Sequence, residues 1–156
     1  EIADRINAVA DLFKNANLAP VIISTNVMGL IWDKLLVNVG VNPLTAITGL
    51  RNGQLLDYPE TEWIGCQAVL EGMKVAEALG IKLEIPDAVA HFKEVCIGTA
   101  PNISSMLADV KNKRKTEISN INGAIVREAE KFNIDTPVNK VLTNLVLLKE
   151  KLYEVQ

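Results

Sequence analysis

Residues 32–47 read WDKLLVNVGVNPLTAI, an apolar run that carries Lys34, Asn38 and Asn42 at intervals of four. At about 100° per residue, helical positions four apart drift by only about 40°, so the three polar groups project into one narrow sector. The stretch therefore predicts a hydrophobic helix with a single polar row. Ser24, Thr25 and Asn26 each qualify as its N-terminal cap, and Pro43 biases Asn42 away from α geometry. Asn42 is accordingly expected near a helix end or a kink.

Upstream, Ile2, Ile6, Val9, Leu12 and Phe13 recur at helical spacing, and the turn-forming NANLAP at 15–20 interrupts them before a short β-branched run, Val21 to Ile23. Downstream, the Asn52-Gly53 pair signals a turn, and Pro59 opens a long amphipathic stretch through Ala78 that Gly80 stops. A further helix is expected over PDAVAHFKEVCIG with Pro86 near its first turn, and a shorter one over APNISSMLADVKNK. Thr116 is a cap candidate for EISNINGAIVREAEKF, whose Ile118, Ile121, Ile125 and Ala129 mark a buried face. Thr136 and Pro137 form a cap-plus-first-turn pair before VNKVLTNLVLLKEKLYEV. Strand-like alternation is nearly absent and no internal repeat occurs, so the fold class is all-α, seven to eight helices in one domain over residues 1–156.

The totals agree with this reading. The chain has 156 residues, 49% hydrophobic and 22% charged, enough to bury a core. A net charge of −3, with basic residues spread among acids, argues against nucleic-acid binding. Lys111, Lys113, Arg114 and Lys115 form a local basic run that is read first as a solvated loop, and second as a contact to a cofactor phosphate. Two cysteines thirty residues apart, with one histidine, fit reduced core thiols and no metal site. No apolar segment approaches the roughly 20 residues that span a bilayer, and no signal-peptide pattern is present, so the expected location is cytoplasmic, with no membrane partner. The chain opens without methionine, already in a helical pattern, as a piece of a longer protein would.

Four places put polar groups where packing does not ask for them: the Lys34/Asn38/Asn42 row, Asn52, the segment with Asn102, Ser104 and Ser105, and Glu117. Each has a plain structural explanation: a snorkelling lysine, a turn asparagine, a helix cap, a glutamate favoured by a helix dipole. Asn38 resists that treatment. Asparagine is a weak helix former, and a buried amide without a partner costs about 1–3 kcal/mol. A row of such groups implies an internal hydrogen-bond network or a ligand.

The stretch IWDKLLVNVGVNPLTAITGLRNGQLL, followed by NISSMLADVKNKRKTEISNINGAIVREAEKFNIDTPVN, resembles the C-terminal domain of the ketopantoate reductase (2-dehydropantoate 2-reductase) family. The shared spacing is K-x3-N-x3-N-P, then N-G, then S-S-M-x2-D-x7-E-I, and the likeness runs from Ser24 to about Leu148. The resemblance implies a helical domain of the 6-phosphogluconate dehydrogenase C-terminal-domain-like type, which follows an N-terminal Rossmann NADP-binding domain in the intact enzyme. It also implies reduction of 2-dehydropantoate to (R)-pantoate with NADPH, in pantothenate and coenzyme A synthesis. On that likeness Lys34 is the general acid, Glu117 assists and holds substrate, and Asn38, Asn42, Asn52, Asn102 and Ser105 line the pocket.

The chemistry suits those residue types. Hydride addition to a ketone builds negative charge on oxygen, which a nearby ammonium stabilises and then protonates. Amides and a hydroxyl supply neutral donors and acceptors that orient a 2-keto acid. Among the nine glycines no two stand two positions apart, so no G-x-G-x-x-G fingerprint exists and NADPH is expected to be held mainly elsewhere. Two alternatives remain: the same architecture acting on another 2-keto acid, and a non-catalytic helical interaction or dimerisation module. A homodimer is a further partner expectation.

Overall fold

Helix α2 (Val27–Thr48) runs through the middle of the domain, with most of its surface buried. The computed structural model describes residues 2–17 and 21–154, with Ile2 and Glu154 by backbone alone. Around α2 lie α3 (Pro59–Ala78), α4 (Ala88–Gly98), α5 (Ser105–Lys111) and α7 (Pro137–Lys151); α6 (Asn122–Glu130) packs on α7 and α3. Helix α1 (Ile2–Asn15) precedes them, and short 3-10 turns occupy Gly53–Leu56, Ile118–Asn120 and Leu152–Glu154. Among the described residues no strand occurs, and Val21 to Ile23 form no regular element, so the all-α class holds.

Of the three cap candidates for α2, Asn26 does the capping. Its Oδ1 accepts the Gly29 N–H at 3.1 Å, while its Nδ2 donates to Lys82 O at 2.8 Å and Glu84 Oε1 at 2.6 Å. Two turns on, the buried Asp33 carboxylate accepts the N–H groups of Glu84 and Ile85 at 3.1 and 3.4 Å. These bonds clamp the start of α2 to the connection between α3 and α4. The helix ends at Gly49, whose left-handed φ of 79° lets its N–H return to Thr45 O at 2.8 Å.

Packing at the centre depends on two glycines. Phe92 of α4, with no exposed surface, lies against Gly40 of α2 and Gly65 of α3. A Cβ on Gly40 would stand 2.8 Å from the ring, and one on Gly65 2.6 Å, so the missing side chains are what admit the phenyl group. Leu36, Val39, Val69, Val75, Ile118, Ile125 and Val146 complete the core around it. The expected face of Ile118, Ile121, Ile125 and Ala129 is buried throughout. Cys66 and Cys96 are free thiols packed with the same core. Burial pushes the Cys66 thiol above its ordinary value and the Cys96 thiol up to about 12.

Three expectations need correction. Asn42 is not at a helix end: α2 stays helical through Pro43 to Thr48. The segment after Thr116 is two elements, a 3-10 turn and then α6, divided at Ile121 where ψ is −95°. Thr116 Oγ1 does accept the Ile118 N–H at 3.3 Å, but it donates to Glu150 of α7. Thr136 stands at the N-cap of α7 without using its side chain; the Glu71 carboxylate of α3 accepts the Val138 and Asn139 N–H groups instead, both at 2.9 Å. The helix expected at the start is present as α1, which keeps Ile6, Val9, Leu12 and Phe13 exposed, with Ala10 buried, and no other described element packs closely on it. The expected break at Leu18, Ala19 and Pro20 lies outside the described residues.

Candidate functional site

The polar row on α2 descends into the domain. Lys34 is exposed, Asn38 half-buried, and Asn42 buried at 5% exposure. None of the three side chains makes a hydrogen bond or ion pair among the described residues. The Asn42 amide is nevertheless not sealed in: its N and O are not among the enclosed unpartnered atoms, so they keep contact with solvent at the inner end of the row. No internal network consumes the row.

At the deep end, Thr45 closes the row one turn beyond Val41. Its hydroxyl bonds the Val41 and Asn42 carbonyls at 3.0 Å each and lies 2.6 Å from Ser104 Oγ. Ser104 in turn caps α5, accepting the Leu107 N–H at 3.0 Å. The contact therefore ties the segment bearing Asn102 and Ser105 to α2. Thr45 carried no signal in the sequence, since a threonine in an apolar helix more often bonds its own backbone.

The turn after α2 joins the same segment. Asn52 N–H donates to Asn102 O at 3.0 Å, and Gly53 N–H to Ala100 O at 3.3 Å. Asn52 Nδ2 reaches Thr99 Oγ1 at 3.0 Å, while its buried Oδ1 has no partner among the described residues. Thus Asn52, Asn102 and Ser105 are brought together with the Asn42 end of the row. The side chains of Asn102 and Ser105 are exposed and unbonded.

Glu117 stands apart from these bonds. It is exposed, precedes the 3-10 turn at Ile118, and its carboxylate has no partner among the described residues; in particular, it makes no ion pair with Lys34. The basic run is a solvated one, with Lys111, Lys113 and Lys115 exposed and Arg114 held by Asp109 at 2.8 Å. No cluster of metal-ligating side chains occurs among the described residues.

Residues 26–150 match the protein family described as Ketopantoate reductase PanE/ApbA C terminal. The chain belongs to the ketopantoate reductase family, as its C-terminal domain. It is 34% identical over 147 residues to a 2-dehydropantoate 2-reductase of Halobacterium salinarum, covering 94% of this chain and 48% of that protein. Among solved structures, a PanE/ApbA family ketopantoate reductase from Ralstonia eutropha superposes with TM-score 0.86 at 35% identity, over 95% of this chain and 49% of that one. A D-mandelate dehydrogenase in a ternary structure with NADH and anilino(oxo)acetate gives TM-score 0.87 at 31% identity, over 97% and 50% respectively. This ketopantoate reductase domain thus spans about half the length of the relatives it matches.

Proposed function

We propose that this chain is the substrate-gripping, proton-donating part of an NADPH-dependent 2-dehydropantoate 2-reductase that forms (R)-pantoate in the cytoplasm. The observation that carries the reading is the Asn42 amide, unpartnered yet open to solvent in a residue only 5% exposed, and in line with Asn38 and Lys34. Donors and acceptors left unspent and accessible in such a recess suit a polar ligand.

Within this reading Asn38, Asn42, Asn52, Asn102 and Ser105 hold the keto acid's carboxylate and hydroxyl and fix the direction of its ketone. Lys34 faces the carbonyl oxygen from the outer end of the row. Its ammonium stabilises the developing alkoxide and delivers the proton, and Glu117 steadies the substrate beside it. The residues of this chain do not make a dinucleotide cradle: no pair of its glycines stands two apart. The cofactor's contribution is the hydride, and an N-terminal Rossmann domain is the part of the whole protein that would hold it. The coverage of only about half of each relative supports that two-domain arrangement.

A second reading keeps the architecture and changes the acid. The likeness to D-mandelate dehydrogenase favours it, since mandelate is a bulky 2-hydroxy acid. Full-length protein assayed with ketopantoate, 2-ketoisovalerate, pyruvate and benzoylformate separates the two. A pocket matched to ketopantoate's hydroxyl penalises the analogues that lack it. Lys34→Ala in the same assay is expected to lower kcat by about 10²–10⁴-fold with a smaller change in KM. Wild-type-like turnover by Lys34→Ala refutes the assigned proton donor. Self-association belongs to the reading too. Trp63, Val141 and Leu145 stand exposed around an apolar hollow between α3 and α7, and sedimentation of the full-length protein across a dilution series tests for a homodimer.

A further inference from the structure

An α-helical carbonyl normally accepts the N–H four residues on, and for Val39 that residue is Pro43, which has none. The vacated position is filled from 83 residues away. Asn122, at the start of α6 and wholly buried, donates from Nδ2 to Val39 O at 3.0 Å. The same nitrogen donates to Asn139 Oδ1 at 2.9 Å. Asn139 Nδ2 then donates to Ala68 O at 3.0 Å and Glu71 Oε2 at 2.8 Å, and Glu71 caps α7. The hydrogen bonds link the Glu71 carboxylate on α3, through α7 and α6, to a single carbonyl on α2, with donation running outward from Asn122: one way to Val39 O, the other through Asn139 to Glu71. Because Asn122 Nδ2 faces two acceptors, a flipped amide would set oxygen against oxygen, so the orientation of the Asn122 amide is fixed.

Stability alone is a poor reason for this arrangement. The Oδ1 of Asn122 is buried without a partner, and an incompletely satisfied polar network is worse than an apolar core. Pro43→Ala combined with Asn122→Leu would satisfy Val39 O inside the helix and remove the orphan oxygen, although Asn139 Oδ1 would lose its donor. The place of the carbonyl supplies the better reason: it belongs to the residue after Asn38 and lies one turn from Asn42.

We propose that Asn122 is a positioning residue for the substrate row, holding Val39 O in place of the donor that Pro43 lacks and so setting how Asn38 and Asn42 face the keto acid. The inference rests on the reductase reading above. Asn139 and Glu71 hold Asn122 in turn, and α2 takes its alignment from α3, α6 and α7 as well as from its own hydrogen bonds.

The test is a cycle in the full-length enzyme: wild type, Pro43→Ala, Asn122→Leu and the double variant, each followed by Tm and by steady-state kinetics well below Tm. Asn122→Leu alone leaves both Val39 O and Asn139 Oδ1 unsatisfied and lowers both Tm and kcat/KM. In the double variant the backbone N–H gained through Pro43→Ala supplies the missing donor, so Tm rises above that of Asn122→Leu. Its kcat/KM stays about tenfold or more below that of Pro43→Ala, mainly through a raised KM, because the tie to α6 is gone. A double variant that recovers kcat/KM along with Tm overturns the proposal, as does an unaltered KM in folded Asn122→Leu. Should Asn122→Leu fail to fold, the double variant compared with Pro43→Ala decides the matter in the same way. Wild-type protein that reduces no 2-keto acid overturns the reductase reading and this inference together, whereas an active wild type with normal kinetics in the variants removes the inference alone.

Discussion

The hydroxyls of Thr45 and Ser104, 59 residues apart in sequence, meet at 2.6 Å and join the buried end of the α2 row to the cap of α5. Replacing Thr45 by valine keeps the volume and deletes this link. Loss of one buried hydrogen bond predicts a destabilisation of about 1–2 kcal/mol. The segment from Asn102 to Ser105 also loses its tether, so KM for the keto acid should rise while kcat changes less. Urea unfolding and steady-state kinetics on the full-length protein check both, and an unchanged KM would separate the tether from substrate binding.

Ser105 and Asn102 present exposed, unbonded side chains on that tethered segment. If they hold the substrate equally in the ground and transition states, Ser105→Ala and Asn102→Ala raise KM with little loss of kcat. Lys34→Ala shows the reverse pattern. Ser105→Ala kinetics that mimic Lys34→Ala would mean that the serine acts on the reacting carbonyl.

Gly65→Ala places a methyl group 2.6 Å from the Phe92 ring, closer than real carbon atoms approach. The core must shift, at a cost of about 1–3 kcal/mol. Phe92→Leu in the same background frees the space and should return part of the loss. Thermal unfolding of the single and double variants measures the coupling, and strictly additive effects would show that the notch is looser than its geometry.

Cys96 has no exposed surface, and burial lifts its thiol to about 12. Its folded value lies above its unfolded one, so the native state holds the proton while the unfolded chain has already released it. The stabilisation is complete below about pH 8.5, the ordinary thiol value, and is lost progressively as pH rises towards 12. Its slope has a limit of about 1.4 kcal/mol per pH unit. Urea unfolding from pH 8 to 11 should give a steeper decline for wild type than for Cys96→Ala; parallel declines would count against the assignment.

Much of the fold was legible because its signals are local. Pro59 and Gly80 bracket α3, the cap of α2 falls within the three candidates Ser24 to Asn26, and the isoleucine spacing from Ile118 to Ile125 marks a buried face. What escaped depends on partners far along the chain. Helix continues through Pro43 with Asn122 supplying the donor that proline lacks, and the N-terminus of α7 is capped by Glu71 although Thr136 occupies the expected place. The spacing of α1 gave its helix correctly but not the exposure of its apolar side, since periodicity identifies a face and not what lies against it. For the candidate site, Asn38 and Asn42 were legible as amides in the wrong surroundings. The links through Thr45 and Asn122 look, in sequence, like any polar residue in a helix.

Along α2 the row and the core share one helix: between Lys34, Asn38 and Asn42, at every fourth position, stand the buried Leu36, Val37, Val39 and Val41. A mutation that reshapes substrate preference from this helix also disturbs the packing of the interior. The turn at Asn52 and the segment from Thr99 to Ser105 border the same face with far fewer core obligations. Substitutions are accordingly easier to accommodate in those two segments than along the central helix.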